Sequence, residues 1–91
     1  MFEIEFDPLK RERTLVERDL DFARAGEVFQ SHTYTNRDTR EDYGEERFFT
    51  VGWLDAKMVV VVWTPRGEVR RIISMRKCND REKTFYAKHL G

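Results

Sequence analysis

Apolar and polar positions change rhythm several times along the chain, and each change predicts an element. FEIEF, residues 2–6, alternates apolar with acidic and predicts a strand with one buried face. Asp7-Pro8 then reads as a helix start, with Asp7 as the cap and Pro8 in the first turn. That helix is expected to run to about Arg18, with Leu9, Leu15, Val16 and then Leu20 as a thin apolar stripe. Asp21 is positioned to cap a second helix, in which Phe22, Ala25, Gly26 and Phe29 recur at helical spacing and form a core face. From Ser31 to Gly44 the chain is polar, which fits a short strand around 32–35 followed by a loop.

Three strands are expected next. EERFFTVGWL, 45–54, is turned by DAK into MVVVVWT, 58–64, whose continuous apolarity predicts a central strand covered on both faces. PRG, 65–67, is a tight turn into EVRRIISMRK, 68–77. Asn79 and Glu82 have capping-box spacing and open a last helix to Leu90, with Gly91 behind it. The order predicts an α+β fold: a curved antiparallel sheet packed by two N-terminal helices and a C-terminal helix, in one domain over 1–91. Strict alternation along 68–77 places Val69, Arg71, Ile73 and Met75 on one face and Arg70, Ile72, Ser74 and Arg76 on the other. Each face is then mixed, so the arginines need either carboxylate partners, for which Glu45 and Glu46 are candidates, or an open cationic groove.

Charge sharpens this picture. Formal net charge is zero, but residues 66–91 hold eight Lys/Arg against three Asp/Glu, and residues 1–65 hold nine against fourteen. Such a dipolar chain suits a polyanion on one surface, with an acidic remainder that limits indiscriminate binding. Seven Phe, two Trp and three Tyr supply a core that a disordered segment lacks. One cysteine, Cys78, excludes an intrachain disulfide and a multi-thiolate zinc site and fits a reducing cytoplasm. No apolar run approaches membrane-spanning length, and MFEIEFDPLK lacks the basic-then-apolar pattern of a secretion signal. No metal-ligand spacing appears, so neither a metal nor another cofactor is expected.

Four stretches in order, IEFDPLKRERT, LDFARAGEVF, EERFFTVG and VVVVWTPRGEVRRIISMRKCNDREKTFY, resemble the BrnT family of type II toxins over nearly the whole chain. The family pattern pairs a glutamate and arginine at the opening of the meander with an R-x-I-S-A-R run before the last helix. The chain departs at Thr14, where the family usually carries Asn, at Glu17-Arg18-Asp19, where it carries Lys-His-Gly, and at Met75, where it carries Ala. The resemblance implies a RelE-like fold and a ribonuclease that blocks translation. It also implies a small ribbon–helix–helix antitoxin, BrnA-like, as partner, with DNA reached only through that antitoxin and no membrane involved.

Metal-free RNA cleavage uses the ribose 2′-OH as nucleophile, a base beside it, and cations around the developing phosphorane charge. Arg71 and Arg76 fall on the R-x-I-S-A-R positions and are the expected catalytic cations, with Glu46 as base. Arg47, Arg66, Arg70, Ser74 and Tyr86 are the expected substrate contacts. His32 and His89 read as surface residues. The alternative is a catalytically weak or inactive module that binds RNA or antitoxin and acts mainly in autoregulation of its operon. No helix-turn-helix pattern is present for direct reading of DNA.

Overall fold

A computed structural model describes residues 3–90. The elements in chain order are β1 (Glu3–Phe6), α1 (Pro8–Arg18), a 3-10 turn (Phe22–Arg24), α2 (Ala25–Gln30), β2 (Tyr34–Arg37), β3 (Phe48–Leu54), β4 (Lys57–Arg66), β5 (Val69–Lys77) and α3 (Asp80–Ala87). Phe2 and Gly91, expected in the first strand and behind the last helix, lie outside the described residues.

The five strands form one sheet in the order β1-β5-β4-β3-β2. It is mixed, not antiparallel as expected, because β1 runs parallel to β5, with Glu3 opposite Val69 and Phe6 opposite Ile72. The strands between them pair antiparallel. Adjacent parallel strands need a long crossover, and here the whole chain between β1 and β5 supplies it.

Local chemistry explains the boundaries. The Asp7 carboxylate accepts the Leu9 N–H at 2.9 Å, and Pro8 occupies the first turn, so α1 starts as read. It ends at Asp19, whose φ of 57° puts it in the left-handed region and whose N–H donates to the Leu15 carbonyl. Asp is one of the few residues besides Gly that tolerates this conformation. Asp21 accepts from the Ala23 N–H, but the segment it opens is a 3-10 turn before α2 instead of one continuous helix. The β3–β4 hairpin turns through Asp55 and Ala56, both with positive φ, as a two-residue turn that follows strand twist requires. Pro65 and Arg66 belong to β4, not to a turn, and the turn is Gly67-Glu68, with Gly67 at φ 63°.

One face of the sheet is closed by the N-terminal segment. Phe22, Ala25, Val28 and Leu20 bury there against Val59, Val61, Trp63, Ile72 and Met75. Trp63 stacks on Phe48, meets Phe29 edge-on, and donates its indole N–H to Thr50 Oγ1 at 2.9 Å. Gly52 lets α2 approach: a Cβ there would lie 2.8 Å from Ser31 Oγ and 2.9 Å from Val28 Cγ1. Of the stripe expected along α1, Leu20, which follows the helix, joins this core, whereas Leu9 and Val16 do not. Leu9 and Val16 are 75% and 78% exposed, and no residue within α1 is buried. The opposite face carries a second cluster, Val51, Met58, Val60, Val62, Cys78 and Leu90, with Tyr34, Phe49, Ile73 and Tyr86 packed against it. Burial pushes the Cys78 thiol up to about 11, so it stays neutral.

A β-bulge decides which arginine faces where. Trp63 pairs with Ile72 and Val62 with Ser74, so Ile73 is the extra residue and alternation along β5 resets there. Ile72 and Met75 therefore share the closed face, whereas Ile73 packs on the other. The strict alternation expected from the sequence, with Ile73 and Met75 on one side, is overturned, and both clusters become apolar where they touch β5.

Candidate functional site

The second face is only partly covered, because α3 is short. Its N-cap is the expected capping box: Asn79 Oδ1 accepts the Glu82 N–H and Glu82 Oε1 accepts the Asn79 N–H. The Glu82 carboxylate does a second task. It holds Arg76 in a two-point ion pair at 2.7 and 2.8 Å, so the helix cap and the guanidinium of β5 are fixed together. That bond pulls the Glu82 carboxyl from 4.5 to about 2, against the opposing effect of its burial, and raises Arg76.

Arg76 stands in a groove of about 380 Å³ whose floor is Val60, Val62 and Phe49 of the sheet. Ser74, Glu82 and Tyr86 line one side, Arg37, Asp38, Thr39 and Arg40 another, and Arg18 a third. The groove thus gathers four arginines against two carboxylates. Arg18 arrives from the end of α1 by reaching over the edge of the sheet. Pairing of β1 with β5 stops at Ile72, and beyond it the Met75 carbonyl accepts from Arg18 Nη1 at 2.8 Å. Arg40 is placed by Asp38, a carboxylate with 2% side-chain exposure that accepts two bonds from the Arg40 guanidinium, one from its backbone N–H and one from Tyr43. The Arg40 bonds hold the Asp38 carboxyl below its usual range. Arg40 also lies close enough to oppose the charge on Arg76, as expected where like charges converge.

The expected site residues divide. Ser74, Arg76 and Tyr86 come together in the groove. Glu46 and Arg47 precede β3 instead of sitting on it, and line an adjoining shallow hollow that shares Arg37, Asp38 and Thr39 with the groove. Glu46 pairs with Arg37 at 3.1 Å, and its carbonyl accepts from Thr64 Oγ1. Arg47 lies over the Tyr43 ring and pairs with Glu45, which also draws Arg66 at 3.5 Å. Arg70 is on the closed face, over the rings of Trp63 and Phe29. Arg71 faces Glu5 of β1 at 3.9 Å and does not line the groove. The carboxylate partners expected for the 68–77 run, Glu45 and Glu46, pair instead with Arg47, Arg66 and Arg37, all outside it, while Arg71 and Arg76 take Glu5 and Glu82. Sequence reading missed Arg18, Arg37, Arg40 and Glu82 as groove residues. Two of them left a signal: Arg18 stands at the family's His position, and Glu82 has capping-box spacing, which announced a different role.

Against this geometry, the family model of the BrnT ribonuclease toxins of type II toxin–antitoxin systems matches residues 6–82. The chain belongs to the BrnT family. The match runs from Phe6, the last residue of β1, to the first turn of α3, and so includes every arginine of the groove and Glu82. Among curated proteins, none matches the chain. As a BrnT-family toxin it has an antitoxin as partner. Among the described residues, no helix is long and apolar enough to cross a membrane.

Proposed function

We propose that the chain is a metal-independent endoribonuclease that inhibits translation in the cytoplasm, restrained by a ribbon–helix–helix antitoxin. The observation that carries the reading is the groove, where Arg18, Arg37, Arg40 and Arg76 converge beside Ser74 and Tyr86. An RNA phosphodiester enters with its nonbridging oxygens toward Arg76. Glu82 occupies one edge of that guanidinium through its two terminal nitrogens, and the remaining N–H groups are left for phosphate. Arg18 and Arg40 add positive charge where the phosphorane develops, and Ser74 donates a further hydrogen bond. Tyr86 flanks a base. Glu46 takes the 2′-OH proton; its partner Arg37 lines both the groove and the hollow and so joins the two. The 2′ oxygen bonds to phosphorus, the bond to the 5′ oxygen breaks, and that oxygen takes a proton from solvent water, leaving a 2′,3′-cyclic phosphate.

A second reading rests on Arg18. It stands where the family carries His, so the end of α1 offers the groove a permanent cation and no group that titrates near neutral pH. A module that binds RNA or antitoxin without cleaving fits that substitution. Purified toxin incubated with end-labelled RNA separates the two. Fragments ending in 2′,3′-cyclic phosphate establish the nuclease; a mobility shift with intact RNA establishes the module.

A further inference from the structure

A second hollow lies on the same face, on the far side of α3. It measures about 410 Å³ and runs between the β3–β4 hairpin, the end of β5 and the outer side of α3. Trp53, Met58 and Ala87 give it an apolar lining, and Lys57, Lys77 and Lys83 stand around it. No carboxylate lines it; the acid nearest these lysines in an ion pair is the fully exposed Asp80, 3.8 Å from Lys83. Trp53 is 37% exposed, while the other tryptophan, Trp63, is 7% exposed in the core. Nothing in the ribonuclease reading uses this place.

We infer that this hollow seats an acidic segment of the antitoxin, with one bulky apolar side chain against Trp53 and carboxylates on the three lysines. The inference rests on the antitoxin partnership of the family and is independent of whether the groove cleaves RNA. Two observations favour this occupant. An exposed tryptophan in a concave apolar setting is the usual anchor of a protein interface, and a lining with three lysines and no carboxylate favours a negatively charged partner. The competing surface is α1, with Leu9 and Val16 exposed. Its stripe is convex and flanked by both signs of charge, Lys10 and Arg13 beside Glu12 and Glu17, so it selects no partner of one sign.

The probe is the antitoxin encoded by the adjacent reading frame, and the measurement is its dissociation constant from the full chain at two salt concentrations. Trp53→Ala weakens the complex by ~30-fold, the scale of an interface hot spot. The double variant Lys77→Glu/Lys83→Glu weakens it by ~10-fold or more and flattens the salt dependence. Leu9→Glu/Val16→Glu leaves it unchanged. In the unsubstituted protein, antitoxin shields Trp53 fluorescence from iodide, a readout that needs no variant to fold. Binding lost through the α1 pair and retained by the hollow variants overturns the inference, as does tryptophan emission that iodide quenches equally in the complex. Normal antitoxin binding with reduced RNA cleavage in the hollow variants also overturns it, and assigns the lysines to RNA.

Discussion

On the face closed by the 3-10 turn and α2, β4 presents Val59, Val61 and Trp63; on the opposite face it presents Met58, Val60 and Val62. The strand is equally apolar on both sides, yet the two faces have different fates. The first is sealed by Leu20, Phe22, Ala25 and Val28, and its buried polar groups, Thr50 and the Trp63 indole, bond to each other. The second receives only Tyr86, Cys78 and Leu90 from the C-terminal segment, and its uncovered part becomes the floor of an arginine-lined groove. Coverage, more than strand composition, separates the face that holds the fold from the face that offers chemistry. An apolar floor under converging charges also lowers the local dielectric response, which strengthens each interaction with a phosphate.

The strongest way to break this division is to attack the closed face. Trp63→Ala removes an indole that stacks on Phe48 and bonds to Thr50, and is expected to cost about 3–5 kcal/mol in chemical denaturation. A loss that large is a substantial fraction of the stability of a small domain. A midpoint that stays put would show that this face does not carry the fold.

On the open face the effect falls on activity. Arg76→Ala is expected to reduce RNA cleavage by ~10²–10³, as when one charge-stabilising donor is removed. Stability falls by only about 0.5–1 kcal/mol, because the pair is partly exposed and Glu82 keeps its bond to the Asn79 N–H. Arg76→Lys restores a charge but not the planar fork, and recovers little. Arg71→Ala, away from the groove beside Glu5, leaves cleavage within a few-fold of the parent, roughly the scale of a surface substitution. Cleavage and melting lost together in Arg76→Ala would make that arginine scaffolding.

Gly52→Ala sharpens the comparison at the seam. The new methyl meets Ser31 Oγ and Val28 Cγ1 at the end of α2, and overpacking of this kind costs about 1–3 kcal/mol. Thermal melting is expected to fall while cleavage per folded molecule is unchanged.

The smallest effect is in acid. The Arg76 bond takes the Glu82 carboxyl from 4.5 to about 2, and the Arg11 bond takes Asp21 from 3.8 to about 2. Both folded values lie below the unfolded ones, so this stability is complete above about pH 4.5 and is lost as pH falls toward 2. Melting temperature is expected to drop through that window. Glu82→Gln and Asp21→Asn are each expected to remove part of the drop, one on each side of the sheet. An acid limb identical to that of the parent in both variants would refute these assignments.

Most of the element list was legible from the chain, for local reasons. Asp7-Pro8, the Asn79–Glu82 box, the Asp55-Ala56 turn and the unbroken MVVVVWT run each act within a few residues, and each element formed where such signals lay. Family membership was legible too, because it resides in residue order. Tertiary structure decided the rest. The parallel seat of β1 beside β5 depends on contacts separated by most of the chain. The bulge at Ile73, which moves Met75 to the closed face, arises from two-strand register, which one strand's alternation does not encode. Exposure of Leu9 and Val16 depends on where α1 stands, not on the period of its stripe. The groove itself draws Arg18, Arg37, Arg40, Arg76 and Glu82 from four separate stretches. Charges so far apart in sequence interact only once packing brings them within a few ångströms, so residue types announced a cationic protein and only the fold chose which cations meet.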